Sequence, residues 1–171
     1  TEIYTPAGRT SLEKVLDGIG RAAPTSKTVL LSVGPTLEST CVELKKYPDT
    51  VFLAMLAVGE IPYSEIRNPS CSSANILFVA GLNEDLSDLR NQKLGASVLR
   101  LAVPSTNLQN PLGVRSARTF GMALVAGRMA ELMRKNPELK GEKLIEQFLR
   151  SETIRLPAIE DRVVGGRAFI R

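Results

Sequence analysis

The sequence predicts an α/β fold with three layers, in which helices flank a mainly parallel sheet. Three runs of β-forming apolar residues lack polar alternation, which is typical of parallel strands that are buried on both faces. These runs are Thr28–Gly34, Thr50–Gly59 and Asn75–Gly81. Segments with helical spacing alternate with them, and strands that alternate with helices indicate a parallel sheet. We expect residues 1–171 to form a single, partial domain without repeats or linkers.

The remaining elements follow from local signals along the chain. A first helix opens at the capping-box spacing of Thr10–Glu13 and ends before Pro24, and a second is expected from Thr36 to Lys46. A fourth strand is expected over Ser97–Val103, and an amphipathic helix over Leu139–Phe148. Other segments are extended pieces, loops and turns: Ile3–Tyr4, Glu60–Ser73, Asn83–Gly95, Ser105–Ser116, and a glycine turn leading into a strand over Val163–Ile170.

A long helix over Ala117–Asn136 is the centre of the predicted fold, and Asn136–Pro137 ends it. Gly121 and Gly127 lie inside this helix, where each costs about 1 kcal/mol relative to alanine. We therefore expect the helix to be buried on all sides where it begins, with neighbouring backbones close to it, and to reach the surface where it ends. The N-terminus of a buried helix favours developing negative charge and is a common place for catalysis.

The composition excludes several classes of protein. Of the 171 residues, 43% are hydrophobic and 23% are charged, which is typical of a globular protein. The 22 basic and 18 acidic residues form no basic run with interleaved aromatics, so we expect no nucleic-acid partner. No apolar stretch reaches the roughly 18 residues that span a bilayer, so we expect no membrane partner.

The supply of reactive side chains limits the chemistry further. The chain contains no histidine, so neither a Ser-His-Asp nor a Cys-His machine can be assembled within it. Without imidazole, and without a glycine-rich phosphate loop, we expect no metal and no cofactor. Cys41 and Cys71 exclude a disulfide framework but not a single bridge. We expect both to be buried or unpaired thiols, and they do not indicate a compartment.

Several short stretches share their order with one known domain. They are the strand ends Ser32–Gly34 and Ala57–Glu60, the strand Ile76–Gly81 with the acidic turn Asn83–Asp85, and the stretches Gln92–Gly95, Val103–Ser105, Ala117–Gly127, Asn136–Pro137 and Gly165–Arg167. In this order they resemble the C-terminal half of a subtilisin-like serine peptidase (subtilase) domain, over nearly the whole chain. The resemblance implies a substrate groove formed by Ser32, Val33, Gly34, Ala57, Val58 and Gly59.

This chain differs from that family at the positions where the resemblance places the catalytic residues. Thr119 stands at the position of the nucleophilic serine, and Ala123–Leu124 replaces the family's Pro-His pair. Glu60 stands where the family has an asparagine that donates to the oxyanion, and loss of such a donor costs about 3–4 kcal/mol. We expect Thr119 to bond locally at the helix start. Neither position is expected to be functional, which implies an inactive pseudopeptidase that serves as a binding or assembly scaffold.

The family's catalytic Asp and His lie N-terminal to everything matched here, and the strand that carries the Asp lies between the equivalents of Ile3–Tyr4 and Thr28–Gly34. We therefore expect an exposed apolar sheet edge, of the kind that proteins normally cover or pair. An upstream segment or a companion chain is expected to complete the sheet. The alternative is a fragment of a subtilisin-like serine/threonine endopeptidase, active only when another segment or chain supplies Asp and His and Thr119 attacks.

Two further interpretations stay open. Glu84, Asp85 and Asp88 have the oxygen ligands of a calcium site, although a polar turn between strands explains them as well and is favoured. Ser32–Gly34 and Ala57–Gly59 can hold an extended peptide ligand by strand addition, or they are two packed strand ends.

Overall fold

The computed structural model describes residues 12–31, 38–55, 74–83, 85–89, 99–104 and 118–170. The helices of this part of the chain are α1 (Leu12–Ala22), α2 (Glu38–Lys45), α3 (Arg118–Lys135) and α4 (Gly141–Ser151). Its strands are β1 (Thr28–Leu31), β2 (Val51–Met55), β3 (Ile76–Leu82), β4 (Leu101–Pro104), β5 (Ile154–Arg155) and β6 (Arg167–Ala168). Two short 3-10 helices, Pro157–Ile159 and Val164–Gly166, lie between β5 and β6.

The strands form one mixed sheet in the order β1-β2-β3-β4-β6-β5. The pairs from β1 to β4, and the pair of β4 with β6, are parallel, whereas β5 and β6 are antiparallel. All seven residues of β3 are buried, as expected of a central strand whose two faces are both covered by helices. The predicted α/β fold with a mainly parallel sheet and flanking helices is therefore confirmed.

Side chains alternate between the two faces of the sheet and form two cores. On β2, Val51 and Leu53 face α3 and α4, where Met122, Val125 and Phe148 are fully buried. Phe52 and Ala54 point to the opposite face, towards α1 and α2. This alternation follows from the period of two residues in a strand. Successive residues of a strand therefore face the α3 side and the α1 side of the sheet in turn.

The predicted elements are present among the described residues. Within the run that starts at Thr28, Thr28–Leu31 is strand, and within the run that starts at Thr50, Val51–Met55 is strand; the rest of both runs, after Leu31 and after Met55, lies outside the described residues. The strand Ile154–Arg155 was not predicted, because two exposed residues carry no periodic signal. Predicted segments at Ile3–Tyr4, Glu60–Ser73 and 105–116 lie outside the described residues.

The prediction that α3 is buried on all sides where it begins is wrong. Met122 and Val125 are fully buried against the sheet, but Ala123 and Gly127 are exposed. Only Gly121 fits the expected close approach, because a Cβ atom there would lie 2.5 Å from Cγ2 of Val103. An ordinary amphipathic helix therefore covers one face of the sheet, with one glycine at its point of contact with β4.

The expectation for the cysteines also needs correction. Cys41 lies on α2 and is fully buried, as expected, but it is disulfide-bonded and is not a thiol. Cys71, the chain's other cysteine, lies outside the described residues. Disulfides persist mainly in oxidising compartments. The bond at Cys41 therefore bears on the compartment of the protein, which the two cysteines were expected not to indicate.

Candidate functional site

The predicted groove residues follow the carboxyl ends of two adjacent strands. β1 ends at Leu31 and β2 ends at Met55, and the two strands are parallel neighbours, with Leu31 in register with Ala54. Ser32, Val33, Gly34, Ala57, Val58, Gly59 and Glu60 come next in the sequence and lie outside the described residues. In open α/β sheets, ligands bind beyond the carboxyl ends of the strands, so the groove and the role of Glu60 stay predictions.

The start of α3 lies at this same edge of the sheet. Gly121, in the first turns of α3, is so close to the carboxyl end of β4 that an added Cβ would lie 3.0 Å from the carbonyl oxygen of Pro104. Thr119 is two residues earlier, in the first turn of α3. Its side chain lies outside the described residues, so its chemistry stays untested.

The acidic turn after β3 is held together by its own hydrogen bonds. Asp85 Oδ1 accepts from the hydroxyl of Ser87 at 2.6 Å and from the backbone N–H of the same residue at 3.0 Å. These bonds, led by the hydroxyl, lower the pKa of Asp85 below its ordinary value. Asp88 Oδ1 accepts from Arg162 at 3.0 Å, and Glu84 lies outside the described residues. These contacts are those of a polar turn, and the described part of the chain contains no cluster of three or more potential metal ligands.

β1 is a free edge of the described sheet. The N–H of Val51 donates to the carbonyl oxygen of Lys27 at 2.9 Å, which fixes the phase of the parallel ladder between β1 and β2. In such a ladder, alternate residues direct their main-chain groups to opposite sides of the strand. Lys27 and Val29 therefore face β2, whereas the N–H and C=O groups of Thr28 and Leu30 point away from it. The sequence predicted this open edge, and its main-chain groups are oriented to accept another strand.

The side chains of β1 are partly exposed on both faces of the sheet. Val29 and Leu31 are half-buried against the core beside α1 and α2. Leu30 points to the α3 side and is 38% exposed, although Leu53, its register partner on β2, is fully buried. Thr28 shares the face of Leu30, and its Oγ1 is buried without a hydrogen-bond partner among the described residues. The α3 side of β1 is therefore only partly covered, although α3 contacts β1.

One flank of α3 lies towards β1. Arg128 pairs with Glu152, just after α4, at 2.6 Å, so its flank of α3 faces α4. Successive helical residues are about 100° apart, which places Ala126 and Ala130 roughly opposite Arg128. We call the flank opposite α4 the β1-facing flank; its described residues are Ala123, Ala126, Ala130 and Met133. None of them is charged, and all are partly or well exposed.

A cleft at the amino ends of β1 and β2 is a feature that sequence reasoning missed. Its volume is about 690 Å³, and its walls come from three connections that are distant in sequence. Lys27 donates to the carbonyl oxygen of Pro137 at 3.3 Å across it, and Lys140 pairs with Asp49. The lining residues are Ala23, Pro24, Thr25, Ser26, Lys27, Tyr47, Pro48, Asp49, Thr50, Pro137, Glu138 and Lys140. Its charged lining residues are two lysines and two carboxylates, so it selects for neither charge.

The described part of the chain thus defines an α/β protein whose parallel sheet is left open at β1. None of the described helices is long and apolar enough to cross a membrane. No protein-family model and no curated protein matches the sequence.

Solved structures with a similar fold do exist. One is the A subunit of the AB5 toxin from E. coli, which superposes with a TM-score of 0.65 at 15% sequence identity and covers 95% of this chain and 66% of that chain. Another is a chain from a structure of the subtilase cytotoxin SubAB assembly. It superposes with a TM-score of 0.61 at 17% identity and covers 91% of this chain and 61% of that chain. At these identities the likeness shows the fold alone, and at least a third of each neighbour has no counterpart here.

These comparisons correct the resemblance inferred from the sequence. The assignment to the C-terminal half of a subtilisin-like peptidase domain with degenerate catalytic positions is wrong, because the solved structures that share this fold are toxin subunits. The neighbours are subunits of toxin assemblies and match it in fold only. The stretches from Ser32–Gly34 to Gly165–Arg167 therefore do not assign the chain to the subtilisin-like peptidases. The alternative, a fragment of an endopeptidase, has no support either. The supported conclusion is an α/β fold shared with subunits of AB5-type toxins.

Proposed function

We propose that this chain is a non-catalytic assembly scaffold in a multi-chain protein. Its sheet is completed at β1 by a strand of a companion polypeptide, which is an upstream segment or a separate chain. The observation that carries the proposal is the free edge of β1, where the main-chain groups of Thr28 and Leu30 point away from β2. A partner that adds a strand there binds through main-chain hydrogen bonds and side-chain pockets.

The composition of β1 supports this role. Proteins usually protect an edge strand with charged side chains, proline, bulges or a covering element. The residues of β1 are Thr28, Val29, Leu30 and Leu31, and none of them has a charge or blocks pairing. A parallel strand of this kind is normally buried on both faces. An apolar and unprotected edge in a soluble state favours aggregation, so a strand that pairs with it is the expected solution.

The comparisons support the multi-chain part of the proposal. The similar structures are reported as an A subunit of an AB5 toxin and as part of SubAB assembly. Each has at least a third of its length without a counterpart in this chain, which leaves room for a strand and its connections. Under this proposal the 171 residues form one partial domain, and the companion supplies the missing part.

The proposal gives Thr119 and Glu60 no catalytic role. The chain has no histidine to act as a base, and a carboxylate repels the charge that an oxyanion site must stabilise. A second role for the carboxyl edge is contact with an extended peptide through Ser32–Gly34 and Ala57–Gly59. The support for it is that β1 and β2 are parallel neighbours whose carboxyl ends share that edge.

The experiment measures amide hydrogen exchange in the folded chain while a synthetic strand peptide is added. The probe is a capped peptide of about six alternating valines and threonines, the usual length of a strand. We expect exchange at Thr28 and Leu30 to slow by about tenfold or more on binding. The variant Leu30→Pro removes an outward N–H without touching the ladder to β2, so it should abolish the effect. Leu30→Ala keeps that N–H and is the matched control.

Unchanged exchange at Thr28 and Leu30 with saturating peptide would overturn the proposal. Light scattering on the chain alone supplies the other decisive outcome. If the chain forms a dimer that Leu30→Pro dissociates, the edge is occupied by a second copy, and the companion polypeptide is not needed.

A further inference from the structure

We infer that the cleft at the amino ends of β1 and β2 binds a free α-amino acid with a large apolar side chain. The inference goes beyond the proposed function and does not depend on it. The cleft has a volume of about 690 Å³, which lies within the usual range of small-molecule sites. Three features of its lining carry the inference: walls that are fixed to one another, two opposite charges without a charged partner, and an apolar surface beside them.

Hydrogen bonds fix the walls of the cleft to one another. The walls are the connections from α1 to β1, from α2 to β2 and from α3 to α4. Thr50, at the end of the second connection, donates to the carbonyl oxygens of Ala23 and Ser26 in the first at 3.0 and 3.1 Å. The N–H of Gly141, at the start of α4, donates to the carbonyl oxygen of Asp49 at 3.0 Å. The cleft is therefore formed before a ligand arrives, which lowers the entropy cost of binding.

Two opposite charges of the lining lack a charged partner within the described part of the chain. Lys140 and Asp49 neutralise each other as an ion pair. Lys27 donates to the neutral carbonyl oxygen of Pro137 at 3.3 Å, whereas a charge-assisted bond from an ammonium group is typically about 2.7–2.9 Å long. Glu138, the residue after Pro137, makes no hydrogen bond or ion pair with the described residues. An ammonium group and a carboxylate therefore lie close together, and both are available to a ligand that carries both charges.

An α-amino acid matches this pair of charges. Its carboxylate and its ammonium group are attached to the same carbon atom, so they can reach two protein charges that lie close together. The ligand carboxylate accepts from Lys27, and the ligand ammonium group donates to Glu138. A neutral sugar is a poorer match, because the hydroxyls of Thr25 and Thr50 already donate to main-chain carbonyl oxygens.

The surface beside these charges is apolar and rigid. Pro24, Pro48, Pro137 and the half-buried Tyr47 line it. The hydroxyl of Tyr47 donates to Glu43 at 3.3 Å, which restrains the aromatic ring, and proline side chains lose no rotamer freedom when a ligand packs on them. This surface and the volume of the cleft favour an amino acid with a large apolar side chain over glycine or a charged amino acid.

The test follows the binding of L-phenylalanine to the folded chain by NMR, through the amides of Lys27, Asp49 and Glu138. We expect chemical-shift changes that saturate with the concentration of phenylalanine. N-acetylphenylalanine and phenylalaninamide each lack one charge and should bind about tenfold more weakly or worse. Lys27→Gln and Glu138→Gln should each weaken the binding of phenylalanine by a similar factor. Lys143→Gln and Glu142→Gln remove the same charges from exposed positions of α4 outside the cleft and should leave it unchanged.

Three results would overturn the inference. If no amide shift saturates up to the solubility limit of phenylalanine, the cleft does not bind an apolar amino acid. Full affinity of either one-charge analogue would show that the two charges are not recognised together. If Lys27→Gln and Glu138→Gln leave the affinity unchanged, phenylalanine binds elsewhere on the chain. None of these results bears on strand addition at β1, which the hydrogen-exchange experiment tests separately.

Discussion

Leu30 and Leu53 are register partners on adjacent parallel strands, yet Leu53 is fully buried and Leu30 is 38% exposed. Both side chains point to the α3 side of the sheet. The difference reflects the edge position of β1: α3 contacts both strands, but β2 has a neighbouring strand on each side and β1 has one on only one side in the described sheet. On the other face, Val29 and Leu31 are half-buried against the core beside α1 and α2.

Replacing Thr28 with valine should stabilise the isolated chain. The change keeps the shape of the side chain and removes a buried oxygen that has no partner, so we expect a gain of about 1 kcal/mol in the free energy of unfolding. Denaturant unfolding measures it. Thr50→Val is the matched control, because Thr50 donates to two carbonyl oxygens, and it should lose about 1–2 kcal/mol. A loss in both variants would contradict the assignment of an unsatisfied hydroxyl at Thr28.

The two glycines of α3 should respond to alanine in opposite directions. At Gly127 an added Cβ meets nothing within 4 Å, so Gly127→Ala should stabilise the protein by about 1 kcal/mol through helix propensity. At Gly121 the same Cβ would lie 2.5 Å from Cγ2 of Val103 and 3.0 Å from the carbonyl oxygen of Pro104. We expect Gly121→Ala to destabilise by about 1–3 kcal/mol through overpacking. Thermal unfolding of both variants checks the prediction, and equal effects would contradict the packing of α3 against β4.

The amide of Asn75 connects the end of α2 to the start of β2. Its Nδ2 donates to the carbonyl oxygens of Leu44, Tyr47 and Thr50 at 3.2, 2.9 and 3.2 Å, and the residue is 4% exposed. Asn75→Ala leaves these buried oxygens short of a donor and should cost about 2–3 kcal/mol in the free energy of unfolding. Asn75→Asp should cost more at neutral pH, because a carboxylate donates nothing and repels the carbonyls. If the two variants are equally stable, donation by Asn75 is unimportant.

The sequence predicted those parts of the fold that depend on local pattern. The continuous apolar runs that start at Thr28, Thr50 and Asn75 mark buried strands, because parallel strands are covered on both faces. The pattern could not distinguish Gly121, which is pressed against β4, from Gly127, which faces solvent, since both are glycines inside one helix. Nor could it find the amino-end cleft, where Lys27, Asp49 and Lys140 meet from distant segments. The stretches that resembled a peptidase are short, and the fold likeness found by comparison does not assign the chain to that family.

The turn after β3 provides a prediction about pH. Hydrogen bonds from the hydroxyl and the backbone N–H of Ser87 stabilise the charged form of Asp85 and lower its pKa. Because the folded pKa lies below the unfolded value of about 3.9, these bonds contribute to stability above that pH, and their contribution is lost as the pH falls through the folded pKa. Ser87→Ala removes the hydroxyl and should raise the pKa of Asp85, as measured by NMR titration of its carboxyl carbon. Ser87→Thr retains a hydroxyl and should keep the pKa low; a rise of equal size in both variants would show that the hydroxyl is not the cause.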